Sequence, residues 1–167
     1  MTMPRSRLIF FLVAATSAAL MVFSFYLQSA LNLEPCPLCI SQRIAMAGLG
    51  TVAILAVLHN PVNNGYRCYG GFLALMGMAG ALLASRQLWM QSLPPEEVPA
   101  CMPSIEYLVD ILPFTEILKI MLTGSGDCAD VQWAFLGLSI PGWTLIVFTG
   151  MLIVGLFECL RKREARI

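Results

Sequence analysis

The feature that most restricts the fold of this sequence is a set of four apolar runs with almost no charge, at about 8–27, 40–58, 69–88 and 143–160. A helix rises about 1.5 Å per residue, so roughly 20 apolar residues carry it across the hydrocarbon of a bilayer. The charges inside the runs sit at their ends, where side chains reach the interface: Arg43 opens the second, Arg86 closes the third, and Glu158 lies near the end of the fourth. With 58% hydrophobic and 12% charged residues, the chain has too little polar surface to cover a water-soluble core. The expected fold is all-α, a four-helix transmembrane bundle forming a single integral membrane domain over residues 1–167.

The connections differ in character. Residues 28–39 and 59–68 read as short links, the second rich in Asn, Pro and Gly. Residues 89–142 form a long loop holding Glu96, Glu97, Glu106, Asp110, Glu116, Asp127 and Asp130. Within it Ile105, Leu108, Val109, Leu112, Leu118, Met121 and Leu122 follow helical spacing, interrupted at Pro113. This pattern predicts a short amphipathic helix lying on the membrane surface and limiting the motion of the cysteines on either side of it. A small helix packed on the ends of the bundle would give the same pattern.

Orientation follows from the basic residues near the span ends, because these are retained in the cytoplasm. Arg5, Arg7, Arg67, Arg161, Lys162, Arg163 and Arg166 fall on one side, and Arg43, Arg86 and Lys119 on the other. Both termini are therefore expected in the cytoplasm, with the first and third connections facing outward. A cleaved signal peptide is the rival reading of the N-terminus, but the apolar run exceeds the usual length of one, and cleavage would leave the remaining loops on the same sides. A formal net charge of zero gives no reason to expect nucleic acid as a partner.

Six cysteines fall at 36, 39, 68, 101, 128 and 159, and this topology puts 36, 39, 101 and 128 outside, where disulfides persist. Cys36-Pro37-Leu38-Cys39 is a CxxC at the start of a helix, whose free N–H groups and positive dipole end favour a thiolate. Arg43 lies one turn past Cys39 on the same face and adds a fixed positive charge. Thiolate formation is what disulfide exchange requires. The plainer readings are a structural disulfide, a zinc site and, for Arg43, an interfacial anchor. The wide spacing of Cys101 and Cys128 argues against metal, and none is expected. Four cysteines allow three pairings. One uses the short CxxC, the other two tie the loops together, and a relay would visit both arrangements. Cys68 and Cys159 read as cytoplasmic packing residues, and His59, the only histidine, as a helix-end residue.

Several segments, in order, resemble the bacterial disulfide bond formation protein B family, DsbB. They are Pro35-Cys36-Pro37-Leu38-Cys39 with Gln42-Arg43, Pro99-Ala100-Cys101, Gly124-Ser125-Gly126-Asp127-Cys128-Ala129, Gln132-Trp133, Phe135-Leu136-Gly137-Leu138, and Pro141 with Trp143. The resemblance implies an inner-membrane, quinone-dependent oxidoreductase that reoxidises a DsbA-like periplasmic thiol oxidase. It further implies that Cys101 and Cys128 form the disulfide attacked by that partner, with the mixed disulfide at Cys101. Cys128 then attacks Cys36, and Cys39 leaves as a thiolate beside ubiquinone or menaquinone, whose oxygen Arg43 would polarise. Arg86 is a weaker second candidate for a quinone contact. The rival functions are a non-catalytic membrane protein whose cysteines staple two loops, a quinone-linked enzyme serving another thiol protein, and an enzyme related in chemistry to vitamin K epoxide reductases.

Overall fold

A computed structural model describes residues 5–32, 34–61, 65–102 and 105–161. Helix α1 spans Arg5–Leu31, α2 Pro37–His59, α3 Gly65–Gln91, α4 Ile105–Ile111, α5 Phe114–Thr123 and α6 Ile140–Leu160. A single 3-10 turn, Gly126–Cys128, and a two-stranded hairpin, β1 Ala134–Phe135 with β2 Leu138–Ser139, lie between α5 and α6. Helices α1, α2, α3 and α6 are each long and apolar enough to cross a membrane, so the chain is a four-helix transmembrane bundle. Lys162, Arg163 and Arg166, used above to orient the chain, lie outside the described residues.

The long helices extend beyond the apolar runs, α1 to Leu31 and α3 to Gln91, because backbone hydrogen bonding continues into the interface where polar residues begin. Local signals set the ends. Pro37 occupies the first turn of α2, where its missing N–H costs nothing, and Asn60 closes that helix in the left-handed region at φ 42°. His59 ends α2 as expected, its Nδ1 2.9 Å from the Tyr69 hydroxyl.

α3 and α6 pack backbone against backbone. A Cβ at Gly77 would lie 2.8 Å from the Leu152 nitrogen, and one at Gly155 would lie 2.5 Å from the Ala74 nitrogen. Gly70 meets the Gly155 carbonyl just as closely, so Gly70, Ala74 and Gly77 form a strip of small residues at i, i+4 and i+7 that lets the two axes approach. Phe10, Leu49, Ala53, Leu73 and Phe148 fill the core among the four long helices.

The amphipathic segment is two helices rather than one, since Pro113 ends α4 and opens α5. Ile120 is buried while Phe114, Leu118 and Leu122 are exposed, so the segment turns much of its apolar face away from the bundle. Its last turn is held to the first turn of α2, where the Ser41 hydroxyl donates to the Met121 carbonyl at 2.7 Å.

Candidate active site

The site forms where α2 begins. Cys36 is the N-cap of this helix, and its sulfur accepts the Cys39 N–H at 3.4 Å, the place usually taken by a Ser or Asp oxygen. One turn of helix returns Cys39 to the same side, and the two Sγ atoms lie 2.7 Å apart, with either thiol able to donate.

The loop around Cys101 is fastened to the turn carrying Cys128. The Gly126 N–H donates to the Ala100 carbonyl at 3.2 Å, and the Met102 N–H to Asp127 Oδ2 at 3.3 Å. Asp127 also accepts from the Ser125 hydroxyl at 3.1 Å. Only glycine fits at 126, because a Cβ there would collide with the Pro99 carbonyl and lie 3.1 Å from Cys101 Sγ. At 124, with φ +83°, a side chain would be strained and would meet Leu38 at 2.8 Å and Met90 at 2.9 Å. The turn therefore settles onto α2 and α3 and carries Cys128 into a small buried cluster with Cys36, Leu38 and Met90, which Cys39 flanks.

The two loop cysteines have opposite surroundings. Cys128 is fully buried and takes hydrogen bonds from the Cys36 thiol, the backbone N–H groups of Leu38 and Ser125, and the Ser125 hydroxyl. These donors outweigh the cost of burying a charge and hold its pKa at about 6. Cys36 moves the other way, because its proton is shared with Cys128 and Cys39 and burial opposes its charge. Cys101 is exposed, and a hydrogen bond to the Asp127 carboxylate, with the negative charge of Asp127 and Asp130, raises its pKa.

Beside this cluster a cavity of about 520 Å³ opens between α1, α2, α6 and the hairpin. Its walls are mainly apolar, including Leu20, Met46, Val147 and Phe148, and Trp133, Phe135 and Trp143 stand at the hairpin end. Trp133 and Phe135 stack with centroids 5.9 Å apart, and the Trp143 indole donates to the Phe135 carbonyl at 3.2 Å. Polar side chains line it as well, among them Cys39, Gln42, Arg43, Gln87 and Thr144, with Glu34 and Gln132. The Arg43 guanidinium is aimed by α1, donating to the Ser24 hydroxyl at 2.8 Å, Gln28 Oε1 at 2.6 Å and the Ser24 carbonyl at 3.3 Å. It also lies 5.0 Å from the Phe25 ring centroid.

A family model described as disulfide bond formation protein DsbB matches residues 6–157. The chain belongs to the DsbB family. Among proteins named disulfide bond formation protein B, one from Hahella chejuensis is 52% identical over 94% of this chain and 95% of its own length. One from Marinobacter nauticus is 49% identical over 96% of each chain, and one from Saccharophagus degradans is 41% identical over 96% of each. DsbB membership gives the protein an oxidoreductase role in disulfide bond formation.

For a DsbB protein the placement of the candidate residues is informative. Cys36, Cys39 and Cys128 come together, Cys101 stays exposed beside Gly126, and Arg43 reaches the cavity from the neighbouring turn of α2. Arg86 does not line the cavity. It donates to the Thr123 carbonyl at 3.3 Å and lies 4.5 Å from the Trp89 ring centroid. Its neighbour Gln87, one position on and turned inward, is the residue sequence reasoning passed over. A Gln in an apolar run was the available signal, since a buried amide needs partners. Cys68 corrects an expectation: it is exposed on the outer side of α3 rather than packed, whereas Cys159 is half-buried near Gly71.

Proposed function

We propose that this protein takes electrons from a partner dithiol at Cys101 and Cys128, and passes them through Cys36 and Cys39 to a quinone in the apolar cavity. The observation that carries the reading is the position of Cys39, whose sulfur adjoins Cys36 while its side chain also lines the 520 Å³ cavity. An apolar chamber of this size with a few convergent polar groups suits a lipophilic planar ring, and either ubiquinone or menaquinone has such a ring. The quinone supplies an acceptor for two electrons and two protons. Arg43 would hold one of its carbonyl oxygens, and Trp133, Phe135 and Trp143 would flank it. The thiol partner is a soluble DsbA-like periplasmic oxidase, and the excess of basic residues near the span ends supports a bacterial inner-membrane location with both termini on the cytoplasmic side.

The asymmetry of the loop pair supports an order of events. In thiol–disulfide exchange the sulfur with the lower pKa leaves faster. Attack by the partner thiolate on a Cys101–Cys128 disulfide expels Cys128, which the N–H groups of Leu38 and Ser125 and the Ser125 hydroxyl stabilise, and leaves the mixed disulfide on exposed Cys101. The second partner thiolate then attacks its own mixed-disulfide sulfur and releases Cys101, completing the partner's disulfide. Cys128, already beside Cys36, attacks that sulfur: the bond between 128 and 36 forms, the bond between 36 and 39 breaks, and the electron pair stays on Cys39. The Cys101 thiolate attacks Cys128, which re-forms the 101–128 bond and frees Cys36 with its electron pair. A quinone held in the cavity would then accept two electrons from Cys36 and Cys39 as the bond between them closes again.

Purified protein mixed with a reduced dithiol oxidase of the thioredoxin fold and ubiquinone tests the reading through loss of quinone absorbance. Loss that requires both Cys101 and Cys39 supports it. No loss with either ubiquinone or menaquinone would leave a membrane protein whose cysteines only staple its loops.

A further inference from the structure

Two carboxamides are buried at this site, Gln87 on α3 and Gln42 on α2, with 3% and 6% of their surfaces exposed. Amides without partners at such depth would be strongly disfavoured. Both are satisfied, and by each other. The Thr144 hydroxyl on α6 donates to Gln42 Oε1 at 2.6 Å, Gln42 Nε2 donates to Gln87 Oε1 at 2.7 Å, and Gln87 Nε2 faces the sulfurs, 3.4 Å from Cys36 and 3.3 Å from Cys39. The hydroxyl lies nearer Gln42 than its other acceptor, the Pro141 carbonyl at 3.1 Å. With the hydroxyl proton on Gln42 Oε1, the donors run in one order along the chain, because an amide that accepts on its oxygen presents its N–H to the next group. Three helices cooperate so that the N–H of Gln87 is its nearer polar group to the cysteine pair, 3.3 Å from Cys39 Sγ, whereas its Oε1 accepts from the Cys39 thiol only at 3.9 Å.

We infer that Gln87 is a catalytic residue of the Cys36–Cys39 pair, its carboxamide N–H receiving the charge on Cys39, with Gln42 and Thr144 as the positioning residues that fix its direction. The inference rests on the relay proposed above. When Cys128 takes the sulfur of Cys36, the electron pair of the broken bond remains on Cys39, and the Gln87 donor is already in place. A donor held in position before charge develops needs no reorganisation at the moment of reaction, and it is worth more where water is scarce. The same N–H reaches both sulfurs, so it favours the opened, thiolate-bearing pair over the disulfide and raises the potential of the pair. Gln42, Gln87 and Thr144 also line the cavity, which brings the chain within reach of the electron acceptor.

The test is the redox equilibrium of this pair in thiol buffers, read by mass spectrometry after alkylation, in full-length protein with Cys101 and Cys128 replaced by Ala so that one outward pair titrates. Gln87→Met keeps the shape and removes the donor. The equilibrium constant for reduction is expected to fall about tenfold, a shift of about 30 mV to lower potential. Thr144→Val, which cuts the far end of the chain and leaves Gln87 in place, is expected to shift it in the same direction by about threefold. An unchanged potential in folded Gln87→Met protein, or in Thr144→Val should the first not fold, overturns the inference. Neither partner nor quinone enters this measurement, so a failed quinone assay on the unaltered protein would sink the relay without touching this result, and the reverse holds equally.

Discussion

The N–H of Gly126 donates to the carbonyl of Ala100 at 3.2 Å, joining the turn before Cys128 to the residue before Cys101. With the Met102 N–H on Asp127, this backbone hydrogen bond joins two cysteines far apart in sequence, and the absence of a side chain at 126 allows it. Gly126→Val would drive a branched side chain into the Pro99 carbonyl and separate the loops. Partner oxidation is expected to slow at least tenfold, with the Cys36–Cys39 disulfide still forming in thiol-mapping experiments. Normal partner turnover in the Val variant would show that the two segments need not touch.

The loop cysteines should differ in their dependence on pH. The pKa of Cys128 lies at about 6, so its thiolate is present above that pH and lost as pH falls through it. Cys101 is shifted upward and needs alkaline solution to ionise. In the reduced protein, residue-resolved alkylation should therefore mark Cys128 ahead of Cys101 at neutral pH once a small reagent is used that reaches the buried sulfur. Asp127→Asn removes the charge that holds the proton on Cys101 and should increase alkylation of Cys101 at pH 8 by severalfold. Equal rates at Cys101 in the two proteins would disprove that role for Asp127.

Arg43 is held by α1 rather than by its own helix, so residues of α1 should control it. Arg43→Ala is expected to raise the quinone KM about 10- to 100-fold, the range of a hydrogen bond to a charged group, with thiol exchange preserved. Ser24→Ala and Gln28→Leu leave the charge but release its grip and should raise the KM by roughly three- to tenfold. Steady-state kinetics with quinone varied at saturating partner checks both. An unchanged KM in Arg43→Ala would return that residue to the role of interfacial anchor.

Cysteines at the two ends of the bundle should separate in function. Cys39→Ser is expected to abolish quinone reduction while partner exchange at Cys101 survives, visible as a trapped mixed disulfide. Cys68→Ala and Cys159→Ala should retain turnover within about twofold, since both lie at the end of the bundle away from the reacting sulfurs. Lost activity in either of the latter would mean that the far end of the bundle takes part.

The glycine strip between α3 and α6 should be intolerant of volume. Gly77→Leu must push apart two backbones that leave 2.8 Å for a Cβ, and a loss of stability of about 1–3 kcal/mol follows from overpacking. Thermal unfolding in detergent reads this directly, and a variant as stable as the parent would mean that the helices are free to separate.

The four long helices were legible because the bilayer demands one property, sustained apolarity, which shows in any window of about 20 residues. The CxxC and Arg43 were legible because their spacing is local. What escaped was settled by contacts between distant segments. The docking of Cys128 against Cys36 depends on Gly124 lying over Leu38 and Met90, and no local pattern announces it. The hairpin of Ala134–Phe135 and Leu138–Ser139 turns on Leu136 at φ 52° and Gly137 at φ 79°, and a Leu in the left-handed region is not what turn chemistry leads one to expect. Of the neighbours Arg86 and Gln87, Arg86 was put forward because charge in a membrane segment draws notice before an amide does, although the charged residue points to the α5 carbonyl end and the amide points to the sulfurs.

In the proposed relay the sulfur of Cys36 is at once a redox atom and the cap of α2. Whenever that atom changes its covalent partner, the first turn of a membrane helix gains or loses a stabilising ligand. Electron flow and helix fraying would then share one coordinate, and hydrogen exchange at the Cys39 amide is expected to change with the oxidation state of Cys36.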